Sequence, residues 1–485
     1  MTEISDYGAI VLVVSGGLLL ALASTKLTAL LRIPAPGLFL LVAAVASDLW
    51  PRLGGTLSLL TVERLATVAL VVILFDGGMH IGWRRMRRSA VPVLSLGVLG
   101  TFATCGLLAV AAHELLGLPW IVAGLIGAAL APTDPAVMFS VLGGKEIRGR
   151  SGTVLEGESG ANDPVGIALM IGMLELARHP GGSFLIVLKE FAIEMAIGLA
   201  IGVVAARVLL PLMRRVTLPN DALHPFGALA AAGAVYGVTA VAHGSGYLAV
   251  FLAGLLIGDE RAPYKGEIER FAKSVASVAE VVVFIALGLT FSISSLGDGN
   301  LWRDGLVLAA LLAFVVRPLV VGVLLAPVRM RWGERGFIAW GGLKGAVPIL
   351  LGAFAVLDAA PQADRVYGIV FVAVALSVLV QGSTMPAAAR LLRVPMAEGD
   401  PGHWARASYT VGAGSRAAGL AVRELPLGEG GWVHGLLREG AAQRVGGSTR
   451  IQPGDELELL APAAATAALR RYFAGDAADS PLPAP

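Results

Sequence analysis

Charge is scarce in this chain of 485 residues: Asp, Glu, Lys and Arg make up 15% of it, against 56% hydrophobic residues. Soluble domains carry roughly 25% charged residues, so an ordinary water-soluble protein is excluded. There is one cysteine, Cys105, inside an apolar run. A single thiol closes no intramolecular disulfide, and a small core residue is its expected role. No G-x-x-x-x-G-K-[ST] run occurs, which removes ATP as a drive from this chain. The seven histidines show no metal-ligand spacing, and four (His80, His113, His179 and His243) stand at loop edges. No motif asks for a cofactor, and nucleic acid is not an expected partner. A cleavable signal peptide is not expected either, because Thr2 to Asp6 is acidic and the apolar run after it is long.

What is present is apolar and long. Sixty-two glycines suit membrane helices, where close backbone packing replaces the hydrophobic effect as the driver. Runs able to cross a ~30 Å hydrocarbon core recur at 8–27, 33–49, 62–80, 90–115, 119–142, 152–177, 189–213, 223–243, 246–259, 270–292, 302–327, 335–357 and 366–391. The loops alternate in charge. One side collects eighteen basic residues, among them Arg84, Arg85, Arg87 and Arg88, while the other has six: Arg52, Arg64, Arg178, Lys189, Arg303 and Arg365. Basic loops stay cytoplasmic. The expectation is a multi-pass protein of the cell (inner) membrane, amino terminus outside and carboxyl tail in the cytoplasm.

Two of these spans are interrupted, the fifth at Leu130-Ala131-Pro132-Thr133-Asp134-Pro135 and the twelfth at Gly341-Gly342-Leu343-Lys344-Gly345-Ala346-Val347-Pro348. Proline removes a donor, and prolyl or glycyl stretches unwind helices. Freed backbone groups persist at membrane depth only inside protein or around a cavity. Ordinary proline kinks are the competing explanation for either break alone. Both carry a charge, and they lie seven spans apart, so they cross in opposite directions, as corresponding parts of two inverted halves do. The expected fold is an all-α polytopic membrane protein of about thirteen transmembrane helices. It has two inverted six-helix repeats with broken crossing helices, plus a small C-terminal α/β domain. Residues 1–393 form the membrane domain, 394–403 a linker, 404–475 the soluble module and 476–485 a disordered tail.

Inside the sixth span, Gly157-Glu158-Ser159-Gly160-Ala161-Asn162-Asp163-Pro164 sets two carboxylates, a hydroxyl and a carboxamide in an apolar run. A carboxylate at membrane depth costs at least ~2.5 kcal/mol and is usually kept for function. A solvated turn competes with this reading, since Asn-Asp-Pro favours turns. Asp163 and Asp134 stand near the middle of consecutive antiparallel spans. Facing carboxylates disfavour each other's ionisation, so such a pair can hold a proton near neutral pH or a small hard cation, and the two compete. Thr133, Ser159 and backbone carbonyls freed by Pro135 could complete an oxygen shell; alternatively each aspartate caps a helix half. Glu158 and Lys344 are expected to form a buried ion pair that fixes the crossing. Arg317 and Glu280 are further intramembrane charges, pairing with each other or with the core acids. Asp76 lines a cytoplasmic funnel or anchors at the interface.

In the module, Ala407–Val411 reads as a strand, Val433–Glu439 as a helical turn, 449–459 as a hairpin about Pro453-Gly454-Asp455, and Ala464–Phe473 as a closing helix. Two motifs mislead. Gly157-Glu158-Ser159-Gly160-Ala161 misses the last glycine of the hydrolase pattern G-x-S-x-G, and Gly412-Ala413-Gly414 lacks the acidic residue of a dinucleotide site. A membrane hydrolase using Ser159 is thereby disfavoured. A cation channel gated by the tail would want repeated filter loops, which are absent from the sequence.

Gly157–Pro164, Pro132-Thr133-Asp134-Pro135, Gly341-Gly342-Leu343-Lys344-Gly345-Ala346 and Leu74-Phe75-Asp76-Gly77-Gly78 together resemble the cation–proton antiporter superfamily, in its NhaP and sodium–hydrogen exchanger branch. Lysine stands here where that branch usually has arginine. The resemblance implies a secondary Na⁺ or K⁺:proton antiporter, not an enzyme, working by alternating access as a homodimer. By it, Asp163 alternately holds cation and proton, and Asp134, Thr133 and Ser159 help coordinate. Asn162 orients the helix break, and Glu158 pairs with Lys344. Residues 404–475 resemble TrkA-C regulatory domains, which implies a small regulatory ligand or a dimer contact and leans towards potassium.

Overall fold

The computed structural model describes residues 16, 34–50, 57–134, 136–142, 145–147, 150–179, 181–215, 223–260, 264–398, 404–425, 427, 432–443, 445–462 and 466–474. The chain divides into two compact units, residues 1–396 and 397–485.

The first unit is helical: α1 (Ala35–Leu49), α2 (Leu59–Arg88), α3 (Ala90–Leu116), α4 (Trp120–Leu130), α5 (Ala136–Val141), α6 (Arg150–Arg178) and α7 (Leu185–Arg215). It continues through α8 (Leu223–Val241), α9 (Gly246–Gly258), α10 (Lys265–Leu289), α11 (Leu301–Leu324), α12 (Trp332–Trp340), α13 (Ala346–Leu357) and α14 (Ala363–Leu391). Helices occupy every stretch read as a span from 33–49 onward, and span 8–27 lies outside the described residues except at residue 16. Among the described residues α3, α7, α8, α10, α11 and α14 are long and apolar enough to cross a membrane. Helix α6 is 29 residues long but falls outside that set. The solvated-turn reading of 157–164 does not hold: these residues are helical and buried, with Pro164 inside the helix. That proline withholds a donor from the Gly160 carbonyl.

Close backbone approach holds the helices together. Gly254 of α9 lies against the Phe75 carbonyl of α2, Gly258 against that of Met79, and Gly78 of α2 against that of Phe251. A side chain at any of the three would push the pair apart, which is why small residues mark membrane-helix contacts. Cys105 is buried in the core. Near the end of α2, Gly82 leaves the helical region at φ 68°, a left-handed value that glycine adopts freely. The following turn carries Arg84, Arg85, Arg87 and Arg88, all exposed, and the Asp259 carboxylate accepts from the Arg84 amide.

The second unit is a four-stranded antiparallel sheet, β1 (Trp404–Thr410), β2 (Trp432–Arg438), β3 (Ala441–Gln443) and β4 (Glu456–Pro462), in the order β1-β4-β2-β3. Helix α15 (Thr466–Ala474) follows. Tyr409, Leu436, Leu457 and Leu459 pack with Leu469 and Phe473 in a core of their own. Two sequence expectations fail here. Val433–Arg438 lies in a strand, Trp432–Arg438, which pairs with β4 across a register shift between Val433 and Gly435; a short apolar run does not reveal its period. The 449–459 stretch is not a hairpin either. The turn at Pro453-Gly454 is present, but Ile451 exchanges hydrogen bonds with Gly419 and Leu420, while β4 lies between β1 and β2. Helix α15 stands where a closing helix was expected. The linker includes the extended stretch Met396–Glu398, and 399–403 and 475–485 lie outside the described residues.

Arg438 grips buried Asp455 with two hydrogen bonds, Nε to Oδ1 at 2.8 Å and Nη2 to Oδ2 at 2.9 Å. The guanidinium holds this carboxyl below the usual aspartate range, helped by the Gln452 amide. A depressed folded-state value stabilises the module above the free aspartate pKa of ~3.9, and that contribution is lost as pH falls through the folded value. Asp455→Asn is expected to lower module stability by roughly 1–3 kcal/mol at pH 7 and to flatten the acid limb of its stability–pH curve. Chemical denaturation of the soluble module against pH measures both; an unchanged acid limb would refute this role.

Candidate functional site

The two broken spans meet. Between α4 and α5, residues 131–134 lie outside the helices; between α12 and α13, residues 341–345 do the same. The Asp134 amide donates to the Leu343 carbonyl across the crossing at 2.8 Å. The Lys344 amide donates to Ser377 Oγ of α14 at 3.0 Å, and that hydroxyl donates on to Gln381 Oε1 at 2.7 Å.

Each half-helix end at the crossing meets a side chain of opposite sign. The carboxyl end of α4 exposes carbonyls with no helical partner, and Lys344 Nζ donates to two of them, Ala131 O at 3.0 Å and Pro132 O at 2.8 Å. The amino end of α13 has no side-chain cap of its own, and the Asp134 carboxylate lies against Gly345, its N-cap residue. A β-carbon at 345 would overlap that carboxylate. Cation on the carboxyl end and anion on the amino end is the favourable arrangement for the helix dipoles.

Helix α6 passes beside the crossing. Asn162 Nδ2 donates to Thr133 Oγ1 at 2.7 Å, tying α6 to the break after α4. Asn162 is 1% exposed, Asp163 6%, Thr133 5% and Ser159 6%. Among the described residues, Asn162 Oδ1 and Asp163 Oδ1 are buried and accept no hydrogen bond. A buried polar oxygen without a partner is costly. Ser159, four residues before Asp163, lies on the same helix face. Two buried oxygens without a hydrogen bond thus stand on α6, the helix that also carries Ser159.

The expected Glu158–Lys344 pair is absent. Glu158 is held instead by Arg317, whose Nη2 reaches Oε2 at 2.8 Å and whose Nη1 reaches Oε1. Both side chains are buried. Physically, the carbonyls freed by the α4 break take the point charge of Lys344, while the planar fork of arginine matches a carboxylate two-to-two. Arg317 is therefore paired with neither Glu280 nor the Asp163–Asp134 acids. Glu280 is on α10, with Oε1 buried and unpartnered among the described residues and Asp134 as its charged neighbour. Asp76 lines a cavity of about 340 Å³ together with His80, Arg85, Asp259, Glu269 and Lys273.

Sequence reasoning passed over Asp304. This wholly buried carboxylate receives Arg365 Nη2 at 2.9 Å and Arg303 Nη2 at 3.3 Å, joining α11 to α14. Both arginines read as loop charges in the sequence, and nothing local marks their shared partner.

The chain matches the family described as sodium/hydrogen exchanger, transmembrane, over residues 13–391. It belongs to that family. Residues 406–474 match the TrkA-C domain. The K(+)/H(+) antiporter NhaP of Alkalimonas amylolytica is 36% identical over 388 residues, covering 79% of this chain and 67% of that protein. The K(+)/H(+) antiporter NhaP2 of Shewanella oneidensis is 30% identical over 464 residues, covering 91% of this chain and 79% of that protein. In fold, the sodium proton antiporter MjNhaP1 of Methanocaldococcus jannaschii superposes with a TM-score of 0.67 at 22% identity, over 81% of this chain and 99% of that one.

The buried pair generates a test. Arg317→Ala leaves the Glu158 charge unpaired and is expected to cost roughly 3–5 kcal/mol, read as a fall in melting temperature of the purified protein. In double-mutant cycles Glu158 should couple to Arg317, with a smaller term to Lys344. The reverse order would contradict the pairing.

Proposed function

We propose that this chain is a secondary antiporter that exchanges a monovalent cation for protons by alternating access. The observation that carries this reading is the buried Asp163 Oδ1, unpartnered among the described residues, beside Asn162, Thr133 and the crossed breaks. A carboxylate there avoids standing as a bare buried charge only when protonated or cation-bound. One group cannot hold both, and that exclusion couples the two fluxes. In this reading Asp163 is the exchanging carboxylate, and Asp134, Thr133 and Ser159 contribute oxygens. Asn162 and Lys344 hold the breaks in place, and the Glu158–Arg317 pair braces α6 against α11. Potassium is the favoured cation, on the names of the relatives and the TrkA-C match; sodium is the other candidate. The tail-gated channel finds no support among those relatives.

The finer topology belongs to the same proposal. Thirteen spans in two inverted six-helix halves place the amino terminus outside and the carboxyl unit in the cytoplasm, in keeping with the charge asymmetry of the loops. The protein works as a homodimer in the cell (inner) membrane, and α7, with exposed Leu199, Val204 and Val208, offers an apolar face to a partner or to lipid. Residues 1–393 carry exchange, 394–403 link, 404–475 regulate, and 476–485 form a tail.

Competition at one carboxylate sets the pH dependence. Apparent cation KM should rise about tenfold for each unit of pH below the pKa of the site and level off above it. Asp163→Asn keeps the shape, removes the titration and is expected to abolish exchange. Cation KM against pH in reconstituted vesicles is the measurement. A pH-independent KM, or full activity in Asp163→Asn, would sink single-site competition. Ending the chain after Arg393 should leave exchange intact with altered pH or ligand dependence; a truncated protein that inserts but does not transport would show the module to be indispensable.

A further inference from the structure

Glu280 is a half-buried acid that the exchange site does not use. It lies on α10, fifteen residues beyond Lys265, roughly 22 Å along the helix at 1.5 Å per residue. Its Oε1 is buried and accepts no hydrogen bond among the described residues. A carboxylate oxygen kept at that depth without a partner is costly and needs a reason. The charged group that acts on it is Asp134, at the helix crossing.

The face of α10 on which it stands points to the reason. Glu269, Lys273 and Glu280 fall within about 40° of one another around the helix, at 100° per residue. Glu269 and Lys273 line the cavity of about 340 Å³ that also holds Asp76, His80, Asp259 and Arg85. Between Lys273 and Glu280 the same face offers only Ala276, small and buried. Glu280 is two turns, roughly 10 Å, further in than Lys273. The cavity therefore ends on the helix face that leads, two turns deeper, to the Glu280 carboxylate, on which Asp134 acts electrostatically.

We propose that Glu280 is a cation-receiving station between the cavity formed by α2, α9 and α10 and the site at Asp134 and Asp163. It serves one face of the protein only, the one carrying the basic loops. The idea rests on the exchange reading of Asp163 and adds the route by which a cation reaches it. A cation arriving from the cavity passes Lys273, which repels it, exchanges part of its water for the Glu280 carboxylate, and then moves to Asp134. No corresponding demand falls on a cation entering from the opposite face.

Sidedness makes the test specific. Exchange driven by potassium is measured in everted vesicles, where added cation meets the basic-loop face, and in right-side-out vesicles, where it meets the other. Glu280→Gln is expected to raise KM for potassium about tenfold in everted vesicles, the scale of one unit charge lost roughly 10 Å from a cation. The KM from the other face should rise less than this, because a cation entering there reaches the site without passing Glu280. Glu280→Asp should recover part of the affinity. Lys273→Gln, on the exposed side of the same face, should lower the everted-vesicle KM, a sign that structural damage does not produce, and it tests the route even if Glu280→Gln fails to reach the membrane. An unchanged KM in Glu280→Gln, an equal rise from both faces, or a raised KM in Lys273→Gln would overturn the station. Retained exchange in Asp163→Asn would instead overturn the site reading, so the two failures are distinguishable.

Discussion

Two breaks in the helical backbone meet at the centre of the membrane unit, and every polar group they free has to be met there. Backbone carbonyls and amides outside helices are tolerated at membrane depth only when protein or a cavity satisfies them. Lys344 takes the carbonyls of Ala131 and Pro132, the Asp134 amide takes the carbonyl of Leu343, and Ser377 receives the amide of Lys344. The crossing is thus a small polar knot, tied on three sides, in an apolar core. Its helix-end charges are matched by one lysine and one aspartate, so the breaks persist without solvent.

Once the crossing is satisfied from within, the oxygens left over belong to α6. Asn162 spends its amide on Thr133 and keeps Oδ1 free of hydrogen bonds, and Asp163 keeps Oδ1 likewise among the described residues. Of the buried side-chain atoms without a hydrogen bond among the described residues, these two stand on the helix that Asn162 ties to the α4 break. Alternating access needs such a place to be stable in either charge state, and a carboxylate that exchanges a proton for a cation fulfils that condition. The Arg317–Glu158 clamp, one turn from Asp163, keeps a second buried carboxylate permanently engaged with its cation. Helix α6 thus carries one acid with a cationic partner and, in the proposed reading, one acid that changes partners.

Rigidity and looseness are distributed accordingly. Glycine-mediated contact between α2 and α9 and the Asp304 clamp between α11 and α14 tie helices at close range. The polar cavity with Asp76 at its wall opens beside the Gly82 break, where α2 stops being a straight helix. The carboxyl unit has a separate hydrophobic core.

Much of this was legible in one dimension. Membrane class follows from scarce charge and long apolar runs, the helix positions from where those runs stop, and the two breaks from Pro132 and Gly341-Gly342, because local backbone chemistry acts wherever the chain goes. The stranded polar residues of 157–164 announce themselves by the cost of burying them. Partnership was not legible. Glu158 faced two cations of the right sign, and only the folded arrangement brings Arg317, 159 residues away, to its carboxylate. Arg303 and Arg365 looked like loop charges until Asp304 appeared between them. In the module, Trp432–Arg438 became a strand because an interior β4 offered it an edge to pair with. Local propensity and burial cost are properties of a segment and can be read from it. Which charge meets which, and which short apolar run finds a sheet, depends on groups far apart in sequence, and tertiary packing alone brings them together.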